Sequence, residues 1–266
     1  MTQDGHGSIW DQGDYDQIGS RIGELAVRLV DTVERRTGGL TDTRVVDLAC
    51  GTGNASLEAA RRGARVTGTD LAPGLLRQAA GKARTEGLDV HWKVADATET
   101  GLPAAAFDVV MSSVGLVMVG DRAKAVAETA RLLESGGVVA WTAWCDQPDN
   151  PFGAPLRDFV PDVEPGAPTS QDWSDVAKVE GWLRTAGFVD AVVERCDFTW
   201  RFPDVDTPMR IAFEASPLHL AALRSVPASQ HPALRRAFEQ AFAARRTQTG
   251  AVQFANPYVV VSAVKP

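Results

Sequence analysis

Three aspartates are the residues of this chain best placed to bind a charged small molecule: Asp47, Asp70 and Asp96. Each stands at or directly after the end of a short apolar segment that predicts a β-strand. Asp47 leads into Ala49-Cys50-Gly51-Thr52-Gly53, where glycine lets the backbone turn tightly and approach a ligand. Because ligands of open α/β sheets bind at the carboxyl ends of the strands, we expect the three carboxylates to line one cleft.

A glycine-containing turn between a strand and a helix predicts a nucleoside cofactor. The two candidates are a dinucleotide, NAD(P), and S-adenosylmethionine. A dinucleotide favours a third glycine, but Ser56 stands at that position. Three carboxylates would also repel a pyrophosphate, whereas they suit a ligand with an ammonium and a sulfonium group. The pattern therefore favours S-adenosylmethionine over NAD(P), and an NAD(P)-dependent oxidoreductase remains the alternative.

The segment 47–53 resembles motif I of class I S-adenosylmethionine-dependent methyltransferases, in the type 11 or ubiquinone/menaquinone-biosynthesis-like branch. Leu102-Pro103 before Phe107-Asp108-Val109-Val110, and the stretch from Leu132 to Gly137, resemble later motifs of that branch. Trp10 to Gly19 resembles its lead-in, in which an aromatic residue covers the cofactor. The resemblance extends over about residues 10–145, with Ala49 replacing the first glycine of motif I and Ser135 replacing a proline.

This resemblance implies a role for each cofactor-binding position. The backbone of Ala49, Gly51 and Gly53 would face the methionine part of the cofactor, and Asp47 would hold its amino group through nearby main chain or water. Asp70 would bind the ribose and Leu71 would pack on the adenine. Asp96 would accept a hydrogen bond from the adenine amine, and Ser113 with Val114 would line the methyl-donor side. The remaining cofactor-binding positions are Tyr15, as the covering aromatic residue, and Ala97, which follows Asp96.

The alternation of strands and helices predicts a doubly wound, Rossmann-like α/β fold. We expect a seven-stranded, mostly parallel sheet with an antiparallel C-terminal strand and a helical cap insert. Residues 1–266 are predicted to form a single domain, divided into an N-terminal cofactor-covering helix (1–40), a core (41–145), a lid loop (146–172) and a substrate cap (203–257). Within it we predict a helix over 121–134 and one long strand over 189–200.

Methyl transfer is an in-line displacement that depends mainly on alignment, so a general base is optional. His219, in the predicted cap, is the candidate catalytic base, and the alternative is a histidine without a chemical role. Ser112-Ser113-Val114-Gly115 follows the fourth strand, in place of the Asn-Pro-Pro-Tyr type of motif associated with base methylation in nucleic acids. No His, Cys or Asp cluster has metal-ligand spacing, so no metal is expected.

The charge, the apolar segments and the cysteines of the chain limit the kinds of partner and cell compartment that are expected. The chain of 266 residues carries 27 Lys and Arg against 34 Asp and Glu, a formal charge of −7, which argues against nucleic acid. No run of about 20 apolar residues predicts a membrane span, no secretory signal is visible, and the three separated cysteines fit the cytoplasm. We predict a methyltransferase for a small-molecule acceptor, a secondary metabolite or quinone-like compound. A cofactor-binding scaffold with a cyclase-like role remains open, and the oligomeric state is not predicted.

Overall fold

The computed structural model describes residues 9–160 and 169–266, which fold into two compact units. The unit named here the sheet unit comprises 22–145, 169–196 and 258–266. Of the described residues, 9–21, 146–160 and 197–257 form the other unit, named the aromatic unit. Residues 161–168 of the predicted lid loop lie outside the described residues, as do residues 1–8 of the predicted covering segment.

The described residues form nine strands and nine helices that are used below. The strands are β1 Arg44–Leu48, β2 Arg65–Asp70, β3 Val90–Val94, β4 Phe107–Ser113, β5 Leu133–Trp144, β6 Val189–Cys196, β7 Thr199–Phe202, β8 Val252–Ala255 and β9 Tyr258–Val264. The helices are α1 Asp16–Gly19, α2 Gly23–Thr37, α3 Asn54–Arg61, α4 Pro73–Glu86, α5 Arg122–Leu132, α6 Val176–Thr185, α7 Asp206–Arg210, α8 Pro217–Ser225 and α9 His231–Ala243.

The sheet unit contains a seven-stranded sheet in the order β3-β2-β1-β4-β5-β9-β6. Neighbouring strands from β3 to β5 are parallel, and β9 runs antiparallel to both β5 and β6. This confirms the predicted Rossmann-like α/β fold with an antiparallel C-terminal strand. The carboxyl ends of β1, β2, β3 and β4 therefore lie along one edge of the sheet, where ligands of such folds bind.

The helices of the sheet unit bury one apolar face each. In α2, Leu25, Leu29 and Val33 recur on one face and are almost completely buried, and Gly38 ends the helix with a left-handed φ of +76°. The central strand β1 is buried over Val45 to Leu48, as expected for a parallel strand covered on both faces. The edge strand β3 is only partly buried.

Two predicted boundaries of secondary-structure elements were wrong: the end of a helix in the sheet unit, and the end of a strand that begins in this unit. The helix predicted over 121–134 ends at Leu132, and β5 begins directly after it, at Leu133. The Lys265 ammonium donates to the carbonyls of Ala130 and Leu133 at 2.7 and 2.6 Å, so a residue distant in sequence satisfies the helix end. The strand predicted over 189–200 is two strands, β6 and β7, which belong to different sheets.

The aromatic unit is built around a two-stranded antiparallel sheet and three helices. β7 pairs with β8, which the sequence analysis did not predict, and Trp200 stands opposite Phe254. Helices α7, α8 and α9 confirm that the insert is mainly helical. Its core holds Phe202, Phe238 and Phe242, each almost completely buried. The covering roles predicted for segments 1–40, 146–172 and 203–257 stay predictions.

Candidate cofactor site

The turn that follows β1 adopts a backbone that favours glycine. Ala49, Gly51 and Gly53 have φ values of +51°, +57° and +84°, all in the left-handed region. The Gly53 amide donates to the Cys50 carbonyl at 2.9 Å, and the Leu57 amide donates to Gly53 as α3 begins. A Cβ added to Gly53 would lie 2.9 Å from Trp92 Cη2, so the glycine is needed for packing as well as for φ.

Asp70 holds this turn in place. Its Oδ2 accepts a hydrogen bond from the Gly51 amide at 2.8 Å, and its Oδ1 accepts one from the Ala72 amide at 2.9 Å. The carboxylate is 7% exposed, so both bonds form in a poorly solvated place, where charge-assisted hydrogen bonds are strong. Asp70, the residue predicted to bind the ribose, is thus also the residue that orders the turn from Ala49 to Gly53, called the glycine turn below.

Asp47 is the most deeply buried acid of the site, with an exposed fraction of 1%. Its Oδ2 accepts the Ser56 hydroxyl at 2.6 Å, while its Oδ1 has no hydrogen-bond partner among the described residues. Burial raises the pKa of Asp47 to about 7, and the charge of Asp70 adds to the shift, whereas the hydrogen bond from Ser56 opposes it. A buried carboxylate with an unused oxygen and no cationic partner is suited to a cationic ligand.

Ser56 supplies a contact that the sequence analysis missed. It stands where dinucleotide-binding turns have a third glycine, and its fully buried hydroxyl is committed to Asp47. The signal in the sequence was the replacement of that glycine by a small donor residue. The turn therefore gains a carboxylate anchor at the position where a dinucleotide site would gain close helix packing.

The ends of β2 and β3 bring the other predicted residues to the same edge. The Ala95 amide donates to the Asp70 carbonyl at 3.0 Å, which joins the two strand ends. Asp96 is half-buried, and its Oδ1 accepts the Thr98 amide at 2.7 Å. Ala97 is buried beside it, and Leu71 is half-buried directly after Asp70. Leu71 and Asp96 are thus partly exposed at adjoining strand ends, and their roles at the adenine stay predictions.

The end of β4 adjoins the glycine turn. Ser113 is half-buried, and its Oγ lies 3.5 Å from Thr142 Oγ1 on β5. Val114 has a φ of +58°, which is rare for a β-branched residue and costs about 1–3 kcal/mol. Gly115 packs so closely on the glycine turn that an added Cβ would overlap the Ala49 carbonyl oxygen. The segment that carries the predicted methyl-donor residues Ser113 and Val114 therefore packs against the glycine turn at Gly115.

Comparisons with known proteins agree with this geometry. A family model described as a methyltransferase domain matches residues 45–137, from β1 into β5. Over residues 45–137, the sheet unit therefore carries a methyltransferase domain of the class that the sequence resembles. The resemblance noted in the sequence is thereby confirmed, and S-adenosylmethionine is the methyl donor of this class.

Two relatives match part of this chain. An uncharacterized protein of Mycobacterium tuberculosis is 34% identical over 183 residues, covering 67% of this chain and 65% of the relative. Aklanonic acid methyltransferase DauC of a Streptomyces species is 37% identical over 134 residues, covering 48% and 59%. The chain thus spans just under two thirds of the length of the first relative.

A solved structure extends the likeness of fold over most of the chain. The [4+2]-cyclase SpnF superposes with a TM-score of 0.56 at 22% identity, covering 95% of this chain and 93% of that one. At this identity the likeness concerns the fold alone.

Two of the predicted site residues, Tyr15 and His219, belong to the aromatic unit. The Tyr15 ring contacts the Trp10 ring edge-on with centroids 5.8 Å apart, and the Asp14 amide donates to the Ala215 carbonyl at 3.0 Å. Tyr15 is therefore fixed within the aromatic unit, and its role over the cofactor stays a prediction.

His219 lies at the start of α8 with both ring nitrogens engaged. Nδ1 lies 2.7 Å from Ser216 Oγ, and Nε2 lies 2.8 Å from the Phe152 carbonyl oxygen. Because that carbonyl only accepts, Nε2 carries the hydrogen and Nδ1 accepts from Ser216. Burial lowers the pKa of His219, which favours this neutral form. A role as base requires one of these two hydrogen bonds to open, and the prediction stays untested.

Neither a metal centre nor a membrane span is seen in the described part of the chain. No three His, Cys, Asp or Glu side chains of residues 9–160 and 169–266 could together hold a metal ion. Within the same residues, every helix is too short or too polar to reach across a bilayer.

Proposed function

We propose that the chain transfers a methyl group from S-adenosylmethionine to a small-molecule acceptor. The observation that carries the proposal is the pair of buried carboxylates, Asp47 and Asp70, at the glycine turn of a methyltransferase domain. Among the described residues, one oxygen of Asp47 has no hydrogen-bond partner, and burial raises the pKa of Asp47 to about 7. Both features suit a site that binds a cationic ligand. A pyrophosphate would meet these same carboxylates with repulsion.

The residues at the strand ends divide the binding task. Asp47 and the turn from Ala49 to Gly53 would hold the ammonium and carboxylate end, and Asp70 would bind the ribose hydroxyls. Leu71 and Asp96 would contact the adenine. When bound, the cofactor supplies a methyl group already activated by its positive sulfur. The protein's contribution is then orientation, which is worth up to about 7–11 kcal/mol of the barrier in well-aligned systems.

The acceptor is assigned to the aromatic unit, whose side chains suit a flat, apolar compound. The half-buried Phe152 ring lies 5.1–6.0 Å from five other rings. Such edge-to-face clusters present apolar faces, which predominate in small-molecule sites. DauC is named for methyl transfer to aklanonic acid, which supports an acceptor from secondary metabolism; a quinone-like compound fits the same chemistry.

His219 is the proposed base for an acceptor that binds in protonated form. Its neutral imidazole and its position among Phe152 and Phe238 give it the required protonation state in an apolar environment. General-base assistance contributes about 10²–10⁴-fold when it is used. His219→Ala should therefore lower the turnover rate for such an acceptor, while an acceptor that binds already ionised should be methylated at an unchanged rate.

The experiment that tests the function is a screen of phenolic, quinone-like and carboxylic acid compounds with S-adenosylmethionine. The expected result is release of S-adenosylhomocysteine together with a product heavier by one CH₂ group. Turnover of a compound without S-adenosylhomocysteine release would favour the cyclase-like alternative. Reduction or oxidation of a compound with NAD(P) would instead support the oxidoreductase.

The composition of the chain also supports a proposal about the binding partner and the cell compartment of the protein. We infer a metabolite rather than nucleic acid as the partner, because the chain carries a net charge of −7. A cytoplasmic location is inferred from three free cysteines, Cys50, Cys145 and Cys196.

A further inference from the structure

Two residues other than glycine have left-handed backbone at the ends of adjacent parallel strands. Ala49 follows β1 with a φ of +51°, and Val114 follows β4 with a φ of +58°. The strands pair through Val45 with Val109 and Asp47 with Met111. Gly115 joins the two turns, because its added Cβ would overlap the Ala49 carbonyl oxygen and lie 2.8 Å from the Ala49 Cβ. Strain of this kind persists only where surrounding contacts enforce it.

The contacts that enforce it are buried hydroxyl groups. The Val114 amide donates to Thr142 Oγ1 at 3.0 Å, and Thr142 on β5 is 1% exposed. On the other side, the Leu116 amide donates to Ser112 Oγ at 3.0 Å. The Ser112 hydroxyl in turn donates to the Leu48 carbonyl at 2.7 Å, directly before Ala49. Val114 therefore lies between two buried hydroxyl groups. One is that of Thr142 on β5, and the other is that of Ser112, which donates to Leu48 directly before the glycine turn.

We propose that Thr142 is a positioning residue for the cofactor. By accepting the Val114 amide it holds the strained turn 112–116, and that turn presses Gly115 against Ala49 and so fixes the shape of the cofactor turn. Thr142 does this without being one of the cofactor-binding residues. The inference rests on the proposed function, because it assumes that the turn from Ala49 to Gly53 binds S-adenosylmethionine.

The first test removes the hydroxyl and keeps the volume. Thr142→Val should weaken S-adenosylhomocysteine binding at least about tenfold in calorimetric titration, because the Val114 amide loses its acceptor. Thr142→Ser, which keeps the hydroxyl, should bind within about threefold of wild type. Thr129→Val is the matched control: Thr129 is also buried, but its hydroxyl donates to Val126 within α5. It should lower Tm and leave the affinity unchanged.

The second test asks whether the hydroxyl acts through the strained φ. Glycine adopts a positive φ freely, so Val114→Gly removes the strain and Val114→Ala removes only the side chain. Val114→Gly should have the higher Tm of the two. In the Val114→Gly background, Thr142→Val should weaken binding by less than about threefold, because nothing strained remains to be held.

The outcomes separate the two claims. Equal affinity of Thr142→Val and wild type, or the same loss from Thr142→Val in both backgrounds, would overturn the positioning role alone. A folded wild-type protein that does not bind S-adenosylhomocysteine would contradict the proposed function, and this inference with it.

Discussion

Ser56 donates its hydroxyl hydrogen to Oδ2 of Asp47 at 2.6 Å, with both residues buried. The bond joins the first turn of α3 to the end of β1 across the glycine turn. A glycine at position 56, as in dinucleotide-binding turns, would leave the second Asp47 oxygen without this donor. The pair therefore holds a buried negative charge at the place where a pyrophosphate would otherwise lie, which favours a cationic cofactor.

Cofactor affinity should depend on pH through Asp47. Its pKa of about 7 means that the carboxyl group is largely protonated at pH 6 and largely ionised at pH 8. Affinity for S-adenosylmethionine should therefore rise between pH 6 and about 7.5, as the charge that attracts the ammonium group forms. Calorimetric titrations at several pH values measure this. Asp47→Asn should bind more weakly and show a flat profile; a flat wild-type profile would exclude the proposed role of Asp47.

The same ionisation should affect the stability of the ligand-free protein with the opposite sign. The folded-state pKa of Asp47 lies above its unfolded value of 3.8, so the folded protein binds more protons between pH 4 and 7. The contribution of Asp47 to stability should be full below pH 4 and be lost as pH rises through 7. The difference in unfolding free energy between wild type and Asp47→Asn should follow this trend. An Asp89→Asn variant, which changes an exposed acid, serves as control.

Removing the Ser56 hydroxyl should move the Asp47 ionisation upward. The hydrogen bond from Ser56 lowers the pKa of Asp47 against the effect of burial, so Ser56→Ala should raise it further. The midpoint of the pH profile of S-adenosylmethionine binding should shift to higher pH. Ser225→Ala, which removes an exposed hydroxyl in α8, should leave the midpoint in place. An unchanged midpoint in Ser56→Ala would show that the bond does not tune Asp47.

Replacing Asp70 should loosen the glycine turn. Its oxygens accept the amides of Gly51 and Ala72, and hydrogen bonds to a charged group contribute about 1.5–3 kcal/mol each. Asp70→Asn keeps the size but offers only one acceptor oxygen, so cofactor affinity should fall by about 10–100-fold. Titration with S-adenosylhomocysteine measures the loss. Undiminished affinity would refute both the ribose role and the ordering of the turn by Asp70.

His219 should make stability fall at acidic pH. Its folded-state pKa is lowered by burial, so the unfolded chain binds more protons once the pH drops below the unfolded value of 6.5. Its contribution is therefore present above pH 6.5 and lost on acidification. His219→Gln should reduce the loss of Tm between pH 7.5 and 5.5. The exposed His91 is the matched control, and a similar change in His91→Gln would rule out burial as the cause.

The sequence carried the parts of the fold that depend on local pattern. The seven-stranded, mostly parallel sheet was predicted, because apolar strand segments and helical segments alternate along the chain. The three acids could be placed at one edge for the same reason. Fold class and family also follow from the segment 44–137, where strands and helices alternate regularly.

What could not be predicted depends on contacts between distant residues. The pairing of Trp200 with Phe254 places β7 and β8 in a separate sheet, although the apolar pattern runs on from β6. The Lys265 ammonium donates to the carbonyls of Ala130 and Leu133 at the end of α5 from 135 and 132 residues further along the chain. The bond from the Val114 amide to Thr142 and the contact of Gly115 with Ala49 likewise join segments that only the folded sheet brings together.

The central claim is that the acidic strand ends select a cationic adenosyl donor. The most direct measurement is calorimetric titration of the wild-type protein and Asp47→Asn with S-adenosylmethionine and with NAD⁺ at pH 7.5. Wild-type protein should bind S-adenosylmethionine saturably, Asp47→Asn should bind it more weakly, and neither protein should bind NAD⁺. Binding of NAD⁺ by wild-type protein that does not bind S-adenosylmethionine would contradict it.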